Sequence, residues 1–76
     1  MPTYFFDMQD GENSAKDEEG AAFQDMETAA SEARTSAREW ARQLIGSGQK
    51  IEGQVLEMRD EEGKVRLSLP LRLVIG

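Results

Sequence analysis

Carboxylates are the side chains of this sequence with the most evident chemistry, and many of them cluster in the first third of the chain. Asp10 and Glu12 flank a glycine, and three more acids occupy 17–19. Oxygen ligands at such spacing could bind calcium, magnesium or a lanthanide. An EF-hand loop counted from Asp7, however, would place Glu12 where that loop needs glycine. We therefore expect solvated turn acids and no metal site, with an acidic metal-binding protein as an alternative.

No combination of residues favours covalent or acid–base catalysis. The sequence has no cysteine and no histidine, which excludes thiol nucleophiles, disulfides and Ser-His-Asp triads. The carboxylates fall in predicted turns or on predicted polar faces, where nothing would raise a pKa toward a working value. We therefore predict a protein that is not an enzyme and that needs no cofactor.

Three arginines, Arg34, Arg38 and Arg42, stand four residues apart and form a basic stripe on an acidic chain. Each neighbouring pair repels by about 0.2–0.5 kcal/mol on a helix. A partner carboxylate or phosphate would offset this repulsion, so the stripe is a candidate partner-binding site. The alternative is a solvated flank that contacts the acidic turns. Trp40 could offer a stacking platform, although tryptophan at this spacing is more often part of a core.

The overall charge bears on the choice of partner. Nine basic residues stand against fifteen acidic ones, for a net charge of -6, which would repel a phosphate backbone. No basic region precedes an apolar stretch at the N-terminus, and no segment approaches the roughly 18 apolar residues of a membrane span. We therefore expect a cytoplasmic bacterial protein that binds neither nucleic acid nor membrane.

The elements that must position these residues begin with a hairpin. Tyr4, Phe6 and Met8 alternate with Phe5 and Asp7, as in a strand with one apolar face. The Asp-Gly dipeptide at 10–11 is a strong turn signal, and 14–18 suits a short edge strand. Residues 1–24 are therefore predicted to form the first hairpin.

A helix follows the hairpin. Asp25 is a good N-cap, and small apolar residues recur every three or four positions until the Gly-Ser-Gly at 46–48. This spacing predicts a helix from about 26 to 46, within a region 25–47. Trp40 and Leu44 should pack against strand residues such as Phe6 and Leu67.

The second hairpin has the clearest alternation in the sequence. Residues 55–59 and 64–69 alternate on either side of a four-residue turn that ends in Gly63. Residues 48–76 should hold this hairpin and a C-terminal tail, with a core face made of Leu56, Met58, Val65, Leu67 and Leu69. The chain is therefore predicted to be one α+β domain, 1–76, of order ββ-α-ββ, with an antiparallel sheet packed on one face by a single helix.

Self-association is predicted because a single helix can cover only one face of the sheet. Phe5 and Val55 point to the other face and would be exposed in a monomer. Beyond Pro70, the alternation of Leu71, Leu73 and Ile75 suits strand addition to another chain. We therefore expect a homodimer that uses these five residues.

Short motifs in a fixed order run along nearly the whole chain. They are Met-Pro-x-Tyr-Phe-Phe-Asp at 1–7, Asp-Gly at 10–11, Asp-Glu-Glu-Gly at 17–20, Asp-Met-Glu-x-Ala at 25–29, Leu-Glu-Met-Arg-Asp-Glu at 56–61 and Leu-Ser-Leu-Pro at 67–70. In these motifs the chain resembles the short bacterial proteins grouped as domain of unknown function 6894. It departs from them at 71–76, where a more polar end is expected. The resemblance implies almost nothing about activity.

A second likeness concerns organisation alone. An aromatic strand, an acidic glycine turn, an extended segment and a capped helix are similar to the N-terminal half of HicB-type antitoxins, which occlude a small toxin. Our leading hypothesis is a small, non-enzymatic, self-associating protein-interaction module. The alternatives are an antitoxin-like or regulatory protein that binds a small basic partner, and the acidic metal-binding protein.

Overall fold

The computed structural model describes residues 1–75 and shows an α+β fold, as predicted. Within this range two hairpins, one before and one after it in the chain, flank one long helix. The elements are β1 (Thr3–Asp10), β2 (Asn13–Ala15), β3 (Ala21–Ala22), α1 (Met26–Gly46), β4 (Val55–Arg59), β5 (Val65–Pro70) and α2 (Leu71–Val74). The order ββ-α-ββ is consistent with this arrangement once the short β3 is added.

The two hairpins join through their first strands. The sheet order is β2-β1-β4-β5, with β3 also paired to β1, and every pairing is antiparallel. Phe6 lies opposite Met58, and Met8 lies opposite Leu56. These apolar residues of the two hairpins therefore form a single surface, to which the helix packs.

The helix has the predicted bounds. The Asp25 carboxylate accepts hydrogen bonds from the backbone N–H of Thr28 at 2.8 Å and from its hydroxyl at 2.7 Å, which satisfies the first turn. The side of α1 that faces the sheet is fully buried at Ala29, Ala33, Ala37 and Ala41. Alanine at these positions lets the helix axis lie close to the sheet.

The core extends from these alanines to both hairpins. Tyr4, Leu44, Leu56, Met58 and Leu71 are buried with them. Trp40 and Leu67 are half-buried against this cluster. Phe23, which the sequence patterns did not single out, contacts Phe6 with ring centroids 5.8 Å apart.

The prediction that Val65 belongs to the core is wrong, because a β-bulge interrupts the second hairpin. Met58 pairs with Leu67, but Arg59 pairs with Val65, so Arg66 is an extra residue on β5. A bulge breaks the two-residue alternation. Val65 is consequently 47% exposed.

The C-terminal tail is also different from the predicted strand. Residues 71–74 form a single helical turn, and Leu71 is fully buried in its own chain, where its N–H donates to the Gln54 carbonyl at 3.0 Å. Leu71 is therefore not available for an interface in this fold. Leu73 and Ile75 do remain exposed.

The second face of the sheet is less exposed at Phe5 and Val55 than the presence of a single helix predicted. Phe5 and Val55 are half-buried. Residues 16–20 connect β2 to β3, and we call them the strap. Its Gly20 lies against the Phe5 ring.

Candidate functional site

An ion pair lies at the centre of the strapped face. Asp7 is only 5% exposed, and its carboxylate accepts from Arg59 Nε at 2.6 Å and from Arg59 Nη2 at 3.2 Å. Phe5 is the register partner of Arg59, so Asp7 and Arg59 are diagonal neighbours on one face of β1 and β4. The sequence patterns placed both residues on a polar face and missed the pair.

The strap is held by the same groups. The Asp17 N–H donates to Asp7 Oδ1 at 2.9 Å, and its carbonyl accepts from Arg59 Nη2 at 3.0 Å. The Asp17 carboxylate in turn accepts from the N–H groups of Phe6 and Gly20, each at 3.1 Å. β1 has no strand partner on this edge between its pairings with β2 and with β3. The Asp17 carboxylate takes that partner's place by accepting from the Phe6 N–H.

Burial and hydrogen bonding act in opposite directions on the pKa of the Asp7 carboxyl. Burial alone would raise the pKa of its carboxyl, but the hydrogen bonds from Arg59 and from the Asp17 N–H, with the nearby positive charge, hold that pKa below its ordinary value of 3.8. Asp7 is thus an ionised structural carboxylate. A general acid would need the opposite shift.

The acidic turns were the candidate metal ligands of the sequence. Within residues 1–75, no group of three or more acids has a suitable geometry. Asp10, Glu12, Glu18 and Glu19 are exposed, as predicted. Asp17 differs from the prediction, because it is half-buried and hydrogen-bonded within the strap.

The arginine stripe lies on an exposed flank of α1. Arg34, Arg38 and Arg42 are all exposed. Arg38 and Arg42 also border a groove of about 270 Å³ whose apolar lining is Ile45, Val74 and Ile75. We call these five residues the arginine groove. It brings Arg38 and Arg42 of the basic stripe together with Ile75 of the apolar tail, two sets that the sequence suggested separately, whereas Arg34, Leu71 and Leu73 do not line it.

A second groove lies beside the opposite half of α1. It has a volume of about 370 Å³ and is mostly apolar, and it is lined by Met26, Glu27, Ala30, Met58, Arg66 and Leu67. These residues come from the start of α1, from β4 and from β5. We call this surface the β5 groove. The sequence patterns missed it, because it depends on how the helix crosses the second hairpin.

Fold and surfaces together define a small α+β protein with a strapped antiparallel sheet and two grooves along one helix. The chain belongs to the family described as Domain of unknown function (DUF6894), whose model matches residues 3–72. No curated protein and no solved structure matches the chain. In the described part of the chain, no helix has the length and apolar character needed to cross a membrane.

Proposed function

We propose that this chain is a small, non-enzymatic protein-interaction module that self-associates through the β5 groove. The observation that carries the proposal is a mostly apolar groove beside the last strand of the sheet. Among the described residues β5 pairs with β4 alone, so its outer edge is open. Apolar side chains next to such an edge favour contact with another chain.

Two exposed side chains indicate how much free energy apolar burial would contribute to dimerisation. Met26 in the groove is 43% exposed and Val65 on β5 is 47% exposed. Full burial of such side chains contributes about 1.5–3 kcal/mol each, so covering the exposed half of four of them in a dimer contributes roughly 4 kcal/mol. Association costs at least about that much. Edge hydrogen bonds must therefore add to the packing, and the dimer should be weak.

The charges of the groove favour a second copy as its occupant. Glu27 and Arg66 carry opposite signs and line the same groove. A two-fold dimer places one surface against itself, so Glu27 of each copy can face Arg66 of the other, in competition with the 3.8 Å contact between Arg66 and Asp60 of its own chain. The bulge at Arg66 and the missing N–H of Pro70 limit strand pairing to the middle of β5.

The absence of enzymatic activity is supported by the state of the most buried carboxylate. Asp7 is fully engaged with Arg59 and the strap, and its pKa is lowered. It lies in a structural network and lines neither of the two grooves described above.

Charge reversal tests the proposed dimer. In sedimentation velocity, the parent should shift from monomer toward dimer as concentration rises. Glu27→Lys and Arg66→Glu should each weaken the dimer about tenfold, whereas the double variant should restore it. Glu39→Lys makes the same change of charge at an exposed residue of α1 that does not line the β5 groove, and it is the matched control.

Two results would contradict the proposal. One is a parent that stays monomeric up to about 1 mM, since a biologically useful dimer would be populated by then. The other is a double variant that dimerises no better than the single ones. Circular dichroism of each variant establishes that the fold is intact.

A further inference from the structure

The arginine groove has a property that self-association through the β5 groove leaves unexplained. Within residues 1–75 the arginine ion pairs are Arg59 with Asp7 and Arg66 with Asp60. Arg38 and Arg42 therefore have no carboxylate within 4.0 Å in that range, although the chain has fifteen acidic residues. Their mutual repulsion at four-residue spacing is uncompensated in the described fold.

The floor between α1 and α2 is apolar and accessible. Ile45 is 55% exposed and Ile75 is 45% exposed, and Val74 also lines the groove. Leu73, on the same short helix, is 70% exposed. Exposed aliphatic side chains next to arginines that lack a carboxylate partner within residues 1–75 are a combination that an amphipathic partner can cover.

We propose that the arginine groove binds an acidic amphipathic segment of another protein, with apolar side chains on the Ile45, Val74 and Ile75 floor and carboxylates paired to Arg38 and Arg42. Charge complementarity selects this occupant. A two-fold contact of this surface with itself would bring arginine against arginine, at a cost. Nucleic acid would meet an apolar floor of Ile45, Val74 and Ile75 that offers its phosphate backbone no contact.

The test uses the intact chain and three matched, dye-labelled helical peptides in fluorescence anisotropy. The first peptide has leucines on one face and glutamates on the other. The second has lysine for each glutamate, and the third has alanine for each leucine. We expect the first peptide alone to bind, because recognition needs both the carboxylates and the apolar face.

Variants locate the site. Arg38→Glu with Arg42→Glu should weaken binding of the first peptide at least tenfold, and the corresponding lysine pair should retain most of it, since lysine keeps the charge. Ile45→Ser should weaken binding at unchanged charge. Lys16→Glu with Lys64→Glu changes the net charge equally but lies outside the groove, so it should have little effect. Glu27→Lys should also leave peptide binding intact, which separates this site from the proposed dimer.

Other outcomes overturn the proposal. One is a first peptide that binds no better than the lysine peptide. Another is a loss of peptide binding in the Lys16 and Lys64 double variant equal to that in the Arg38 and Arg42 double variant, which would show that binding depends only on the net charge of the protein. Binding to phosphatidylserine vesicles that depends on Arg38 and Arg42, without binding of the peptide, would assign the groove to a lipid surface instead.

Discussion

At the scale of single residues, Gly20 is needed by the strap for two separate reasons. Its φ is +68°, a left-handed conformation that side chains rarely adopt. A Cβ at this position would also lie 2.7 Å from Phe5 Cε2 and 2.9 Å from Thr3 Cγ2. The Phe5 ring meanwhile has the Arg59 guanidinium over its face, 4.7 Å from the centroid. Displacing Phe5 would therefore disturb the ion pair beneath the strap.

Replacing this glycine should be costly. We expect Gly20→Ala to lower the free energy of unfolding by about 3 kcal/mol, of which 1–2 kcal/mol comes from the backbone and the rest from the contact with Phe5. Gly63→Ala is the matched control, because Gly63 has φ +84° but open space around it. That variant should lose only the backbone part. Urea unfolding followed by Trp40 fluorescence measures both, and equal losses would show that Phe5 gives way freely.

Residues that act locally were the ones the sequence could predict. Asp25 caps the helix by accepting from the N–H of Thr28, only three residues along the chain. Its role can therefore be predicted from the local sequence. Asp7 and Arg59 are 52 residues apart. Their pairing depends on the register of β1 with β4, which neither hairpin specifies by itself. The missed buried pair is therefore a consequence of tertiary register.

At the scale of elements, α1 is determined by local sequence, whereas the end of β5 is determined by tertiary contacts. The bounds of α1 were predictable because a cap, a period and a terminating Gly-Ser-Gly all agree. The β-bulge and α2 were not, because alternation alone would continue a strand through 71–75. Pro70 cannot donate to a ladder, and Leu71 fits into the core between α1 and the sheet. Burial of one leucine then determines the direction of the tail.

The tail offers a matched pair of leucines to test this account. Leu71 is fully buried and Leu73 is 70% exposed, two residues apart on the same helical turn. We expect Leu71→Ala to lower the free energy of unfolding by about 3 kcal/mol and Leu73→Ala to change it by less than about 0.5 kcal/mol. Urea unfolding measures both. If the tail were instead a strand that left Leu71 and Leu73 equally exposed, both variants would change the free energy of unfolding by the same small amount. That result would refute the folded-back tail.

At the scale of the whole molecule, charge is unevenly distributed along the chain. Nine of the fifteen acids and only one of the nine basic residues lie in 1–33. The sequence showed this imbalance but not its arrangement, because strand order decides which charges meet. The sheet order β2-β1-β4-β5 brings the second hairpin beside the acidic first one and supplies Arg59 to Asp7. The three arginines of α1 are exposed, and the proposed partner would contact two of them, Arg38 and Arg42.

This arrangement predicts how stability responds to acid. The pKa values of Asp7, Asp25 and Asp60 are lowered from 3.8, chiefly by hydrogen bonds, with burial opposing the shift at each. For a lowered carboxyl the stabilisation is fully present above the unfolded pKa and is lost as pH falls through the folded one. The melting temperature should therefore be steady down to about pH 5 and fall below about pH 4. Circular dichroism melts across this range measure it.

If repulsion from the net charge governed stability, acidification would have the opposite effect. The experiment therefore decides between the lowered pKa values of these carboxyls and the net charge as the cause of the pH dependence. With a net charge of -6, protonating any acid relieves repulsion, so a stability governed by overall charge would rise as the pH is lowered toward 4. Asp7→Asn separates the two, since asparagine keeps the shape but cannot ionise. The variant should be less stable than the parent at pH 7 and should lose less on acidification, because its share of the pH dependence is gone. If parent and variant lose the same amount between pH 5 and pH 3, the buried ion pair with Arg59 is not what links this fold to pH.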